Sequence, residues 1–138
     1  LEFRRVLFRS VAVAAGENAG TFADIVQLVE TAKVDYVQPS VTKSGGVTQM
    51  MRVIEYARAR GTKVAPHSPY FGPGLIATIH ISASTPEKPP IERFYLELAA
   101  SPLGDFVNAY NGEMRVPQGP GLGVEVDESV IAKYRVGA

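Results

Sequence analysis

The chain has no cysteine and no tryptophan in its 138 residues, and only two histidines. Without cysteine there is no disulfide framework, no thiolate nucleophile and no zinc–thiolate centre. An excess of one charge is missing as well. The 14 basic and 14 acidic residues cancel, so the basic footprint of a nucleic-acid binder is absent. No apolar run approaches the roughly 20 residues of a membrane span, and Arg9 breaks the one stretch that could have been a signal-peptide core. What remains is a chain of ordinary soluble composition, 46% hydrophobic and 20% charged. The expectation is a cytoplasmic protein whose partner is a small molecule, neither nucleic acid nor membrane.

Four short apolar runs each end in a polar residue: VAVAAGE at Glu17, DYVQPS at Ser40, KVAPH at His67 and FYLE at Glu97. The intervals are 23, 27 and 30 residues, about the length of one strand and one returning helix. Parallel strands point their carboxyl ends at one face. Two carboxylates, a hydroxyl and an imidazole would then converge there.

Helical spacing separates the runs. Thr21 and Asp24 form a capping-box-like start for a helix whose Ile25, Leu28, Val29 and Ala32 share one face. Ser44-Gly45-Gly46 leads into a second helix carrying Val47, Met50, Ile54 and Ala57, closed near Gly61. After His67 comes the loop SPYFGPG, then a helix over 75–83 that the Pro86 and Pro89-Pro90 region stops. Strand–helix alternation with short loops predicts an α/β fold with a parallel sheet.

Both ends differ from this pattern. Residues 1–10, LEFRRVLFRS, fit neither period and are read as a lead foreign to the domain or the tail of an upstream helix. Residues 11–111 hold the βα units. Residues 112–138 begin with the turn-rich VPQGPGLG region and close in a short helix with Asp127 as N-cap and Val130, Ile131 and Tyr134 as its apolar side. Four βα units make half of an eight-stranded barrel, which takes about 250 residues, and the chain opens on Leu, not Met. The expectation is therefore the C-terminal part of a longer protein.

In order and spacing, Gly16-Glu17-Asn18, the run Gln38 to Thr48 (QPSVTKSGGVT), Pro66-His67 and Tyr95-Leu96-Glu97 resemble the enolase superfamily. Within it, these motifs look most like the mandelate racemase and acid-sugar dehydratase group. The resemblance implies a (β/α)8 TIM-type barrel with a capping domain, of which this chain would supply strands five to eight and the C-terminal capping strip. It also implies Mg²⁺, a carboxylate substrate whose α-proton is abstracted through an enediolate, and a homo-oligomer.

The resemblance assigns roles residue by residue. Glu17 matches a metal ligand; its plain alternative, read from its own GENAG turn, is an acid favoured at a helix N-terminus. His67 matches the catalytic histidine, able to take the α-proton or protonate a leaving hydroxide. Its plain alternative is a solvated loop histidine, and His80, inside a helix, is read as structural. Ser40 departs from the family pattern, which has Asp or Lys there; a hydroxyl can bond the imidazole but cannot stabilise an imidazolium by charge. Glu97 matches the eighth-strand glutamate, with pairing to Arg93 as the alternative. Tyr70 and Lys43, in loops at the same mouth, are candidate substrate contacts. The functional expectation is acid-sugar dehydration. A racemase or epimerase of the same group, or an inactive fragment or scaffold, are the alternatives.

Overall fold

A computed structural model describes residues 11–137; the reading of residues 1–10 as a foreign lead lies outside them. Three short strands, β1 (Ala14–Ala15), β2 (Tyr36–Val37) and β3 (Lys63–Val64), form a parallel sheet in the order β1-β2-β3. Ladder bonds outrun the strands toward their carboxyl ends. Gln38 N–H donates to Ala15 O at 2.8 Å, Ala65 N–H to Val37 O at 3.0 Å, and His67 N–H to Pro39 O at 3.1 Å. The expected α/β fold with a parallel sheet is present.

The helices fall where their periodicity places them. Helix α1 (Phe22–Gln27) continues into a π-helical turn, Leu28–Ala32. Its capping box is complete: Thr21 Oγ1 accepts from Asp24 N–H at 3.2 Å, and Asp24 Oδ2 accepts from Thr21 N–H at 2.9 Å. Helix α2 (Val47–Arg58) buries Met50, Val53, Ile54 and Ala57; Val47, expected on that face, is half exposed because it opens the first turn. Gly61 follows with φ 70°. Helix α3 (Pro73–Ser84) begins on proline, whose missing N–H costs nothing in a first turn.

Two hydrophobic clusters result. Ile25, Val29, Val37, Met50, Val53, Ile54 and Ala57 fill the space between the sheet and the first two helices. Leu75, Ile76 and Ile79 of α3 pack with Leu103 and Val107. Ile81, also on α3, joins the first cluster, so this helix is apolar on more than one side and bridges both. The tail is tied down as well. Met114, Val116 and Val124 pack on the second cluster, and Asp127 N–H donates to Pro102 O at 2.8 Å. Helix α4 (Glu128–Tyr134) has its expected Asp127 cap but buries no residue, so its apolar side stays open among the described residues.

The fourth strand is the correction. FYLE forms no strand: Tyr95 is 96% exposed, and Phe94 and Leu96 are nearly half exposed. A strand persists only where a neighbour pairs its backbone. The contact with β3 is instead made earlier, by Glu92 N–H to Pro66 O at 3.1 Å. Beyond it, Arg93 fixes an irregular path by donating to Val107 O at 3.1 Å and Phe94 O at 2.8 Å.

Candidate functional site

The carboxyl ends of β1, β2 and β3 each carry one residue of the expected set. Glu17 follows β1 after Gly16. This glycine has φ 120°, and a Cβ there would lie 3.2 Å from Leu28 Cδ1 and 3.3 Å from the Gln38 backbone N. Only glycine lets the chain turn that closely against β2.

His67 ends the β3 ladder, its side chain 12% exposed. Its Nδ1 lies 2.5 Å from Glu92 Oε2 and 3.6 Å from Glu17 Oε2. At hydrogen-bond distance from a carboxylate, Nδ1 holds the proton and donates it. In the neutral ring Nε2 is then the free acceptor. The imidazole is oriented by carboxylates on Nδ1, not by a residue at the end of β2.

Ser40 is fully buried, and its hydroxyl does not bond the imidazole. Its Oγ lies 2.9 Å from the Tyr70 hydroxyl and 3.0 Å from Thr42 Oγ1. The expected Ser40–imidazole contact is therefore replaced by one to Tyr70, because a serine side chain is short and the tyrosine of the next loop reaches it first. Tyr70 also donates to the His67 carbonyl at 3.4 Å. Lys43 Nζ donates to Asn18 Oδ1 at 2.8 Å, joining the loops after β1 and β2.

Glu97 is not brought to this group by any contact. Its side chain is 65% exposed and accepts from Arg93 Nη2 at 3.1 Å, the alternative pairing raised by the sequence. The acid beside His67 is Glu92, which the sequence reading passed over. A signal existed: Glu92 follows Pro89-Pro90-Ile91 and stands 25 residues after His67. That falls inside the earlier intervals of 23 and 27 residues, whereas Glu97 exceeds them. His80 is structural as expected, its Nε2 donating to Leu122 O at 3.0 Å and pinning the tail to α3.

Glu17 offers the hard oxygen donor that Mg²⁺ prefers. Among the described residues, however, no group of three or more His, Asp or Glu side chains could hold a metal. These residues do not by themselves fit a Mg²⁺ site; Glu17 fits only as one ligand of a larger set. A groove of about 810 Å³ opens at the other end of the sheet, between Tyr36, Lys63, Arg58 and Glu87. It holds the Arg58–Glu87 ion pair at 2.9 Å and does not include His67. No helix among the described residues is long and apolar enough to cross a membrane.

Comparison with known proteins agrees with this arrangement. Residues 1–130 match the family described as enolase C-terminal domain-like. D-gluconate dehydratase of Thermoproteus tenax is 33% identical over 129 residues, covering 91% of this chain and 26% of that protein. Arabinonate dehydratase of Saccharolobus solfataricus is 30% identical over 130 residues, covering 91% of this chain and 34% of that protein. The chain thus spans about a quarter to a third of the curated relatives it matches. A mandelate racemase/muconate lactonizing protein from Paracoccus denitrificans, solved in complex with magnesium, superposes with a TM-score of 0.82. It is 29% identical, over 96% of this chain and 36% of that one. On its motifs, its parallel α/β core and these likenesses, the chain belongs to the enolase C-terminal domain-like family, within the mandelate racemase/muconate lactonizing group.

Proposed function

We propose that this chain carries the histidine-bearing part of an acid-sugar dehydratase site, on the C-terminal half of a (β/α)8 barrel. The observation that supports it most is His67, held at a strand end with Nδ1 on Glu92 and Glu17 within 3.6 Å. The relatives named D-gluconate and arabinonate dehydratase add the substrate class.

Dehydration of a 2,3-dihydroxy acid removes the α-proton, breaks the Cβ–O bond and releases water; the enol left behind becomes a 2-keto-3-deoxy acid. In this reading Glu92 accepts the hydrogen bond from protonated Nδ1, so that Nε2 exchanges protons with substrate. Protonated Nε2 gives its proton to the β-hydroxyl as it departs and is left as the neutral acceptor. The α-proton goes to a base outside the described residues. Lys43, on the loop after β2, is the candidate contact for substrate oxygens; the Tyr70 hydroxyl is taken up by Ser40, Thr42 and the His67 carbonyl. Glu17 would be this chain's one ligand to Mg²⁺, which when bound would supply charge neutralisation for the carboxylate of the substrate.

A racemase or epimerase uses the same imidazole to take and return an α-proton. The test is to express the open reading frame that contains this chain and supply it with Mg²⁺ and D-gluconate, D-arabinonate, D-galactonate and L-rhamnonate in D2O. Keto-acid formation supports dehydration. Deuterium at the α-carbon without water loss selects the racemase reading, and neither change on any acid sugar defeats both.

A further inference from the structure

We propose that Ser40 is a positioning residue and not a catalytic one: with Thr42 it anchors the Tyr70 hydroxyl, and through Tyr70 it fixes the backbone at His67. The inference rests on the reading of His67 as the reacting group, and it concerns how that group is held.

Three hydroxyls meet at this point. Ser40 Oγ is 2.9 Å from the Tyr70 oxygen and 3.0 Å from Thr42 Oγ1; Thr42 donates to Tyr70 at 3.3 Å, and Tyr70 donates to the His67 carbonyl at 3.4 Å. Three hydroxyls carry three protons. Thr42 and Tyr70 spend theirs on the Tyr70 oxygen and the His67 carbonyl, so the Ser40 proton stays inside the cluster. Buried and satisfied there, Ser40 has no proton aimed at the imidazole or the mouth.

The surroundings lock this arrangement. Ser40 is held by the turn that follows it, its carbonyl accepting from Ser44 Oγ at 2.7 Å and Ser44 N–H at 2.8 Å. Tyr70 packs on the second hydrophobic cluster. Gly74, in the first turn of α3, leaves the room both partners need. A Cβ there would sit 2.5 Å from Thr42 Cγ2 and 2.9 Å from Tyr70 Cε2. His67 is consequently held at both peptide groups, its N–H by Pro39 O at 3.1 Å and its carbonyl by Tyr70. Its side chain is thereby aimed at Glu92 and Glu17. The neutral hydroxyl cluster anchors the His67 backbone, while the negative charge beside the ring comes from Glu92 and Glu17.

These 138 residues hold two imidazoles, His67 and His80, and the His67 signal is identified by its loss in His67→Asn. In the full chain, Ser40→Ala and Tyr70→Phe are each expected to move the His67 Cε1–Hε1 signal in the same direction. The double variant should move it no further than the larger single shift, and the His80 signal should stay in place. Tyr70→Phe keeps the packed ring, so it reports even where the buried Ser40→Ala unfolds the chain. A His67 signal unmoved by Tyr70→Phe, or shifts that add in the double variant, would overturn the proposal and return Ser40 to direct action. The spectrum does not depend on turnover, so absence of acid-sugar dehydration would defeat the functional reading and leave this result standing.

Discussion

At the scale of single residues, the site turns on which oxygen faces Nδ1 of His67. The sequence pattern draws attention to Ser40, since family members carry a charged residue there. The structure puts Glu92 on the ring, at 2.5 Å. Glu92→Gln keeps the shape and removes the negative charge; an amide can still accept from Nδ1, but it no longer stabilises a protonated ring. With a general acid contributing about 10²–10⁴ in rate, kcat for water loss should fall by about 10² or more, whereas Glu97→Gln should change it little. A variant pair behaving the other way round would restore Glu97 to the site. Gly74→Ala carries a prediction of another kind. Its methyl group would meet Thr42 Cγ2 at 2.5 Å, and overpacking of this sort costs about 1–3 kcal/mol. Urea unfolding measures that loss, and a neutral result would mean that Tyr70 can move away freely.

At the scale of elements, α1 shows what was legible in the sequence and why. Thr21 and Asp24 lie three residues apart, and their reciprocal bonds need no distant partner, so the cap was readable. Thr21→Ala should cost about 1 kcal/mol, seen as a lower urea midpoint. The same cap sets a pH dependence. Hydrogen bonds from the Thr21 side chain, then from its backbone, hold the Asp24 carboxyl below its ordinary value. A depressed carboxylate stabilises the fold above the unfolded-state pKa, and that contribution is lost as pH falls through the folded value. Acid should therefore weaken the native chain more than it weakens Thr21→Ala. Between α1 and α2, bonds from Tyr56 and Arg60 lower Glu30, while burial, followed by its bond to Glu30, raises Tyr56. The Glu30 contribution is lost in acid. The Tyr56 contribution is full below the unfolded tyrosine pKa and is lost as pH rises through the higher folded one. A midpoint that climbed outside that window, at either end, would contradict this pairing. The FYLE run was misread for the opposite reason. Its composition suits a strand, but pairing depends on a neighbour, and the neighbour of β3 is the backbone at Glu92. The Ser40–Tyr70 bond spans 30 residues and has no local signature at all.

At the scale of the whole molecule, three parallel strands and two clusters place Glu17, His67 and Glu92 together without assembling a metal site among the described residues. Calorimetric titration of the chain with Mg²⁺ should accordingly show no micromolar binding, since one committed carboxylate cannot replace the several oxygen ligands the ion requires. Tight binding would mean that this part of the barrel is self-sufficient. The central claim is that His67 moves a proton to or from an acid-sugar substrate. It is tested most directly by following water loss and α-deuterium exchange in D2O for the protein encoded by the reading frame containing this chain, with His67→Asn beside it. The expected result is keto-acid formation from at least one acid sugar, reduced by about 10² or more in the variant. Turnover that survives His67→Asn unchanged would show that the imidazole is not the reacting group.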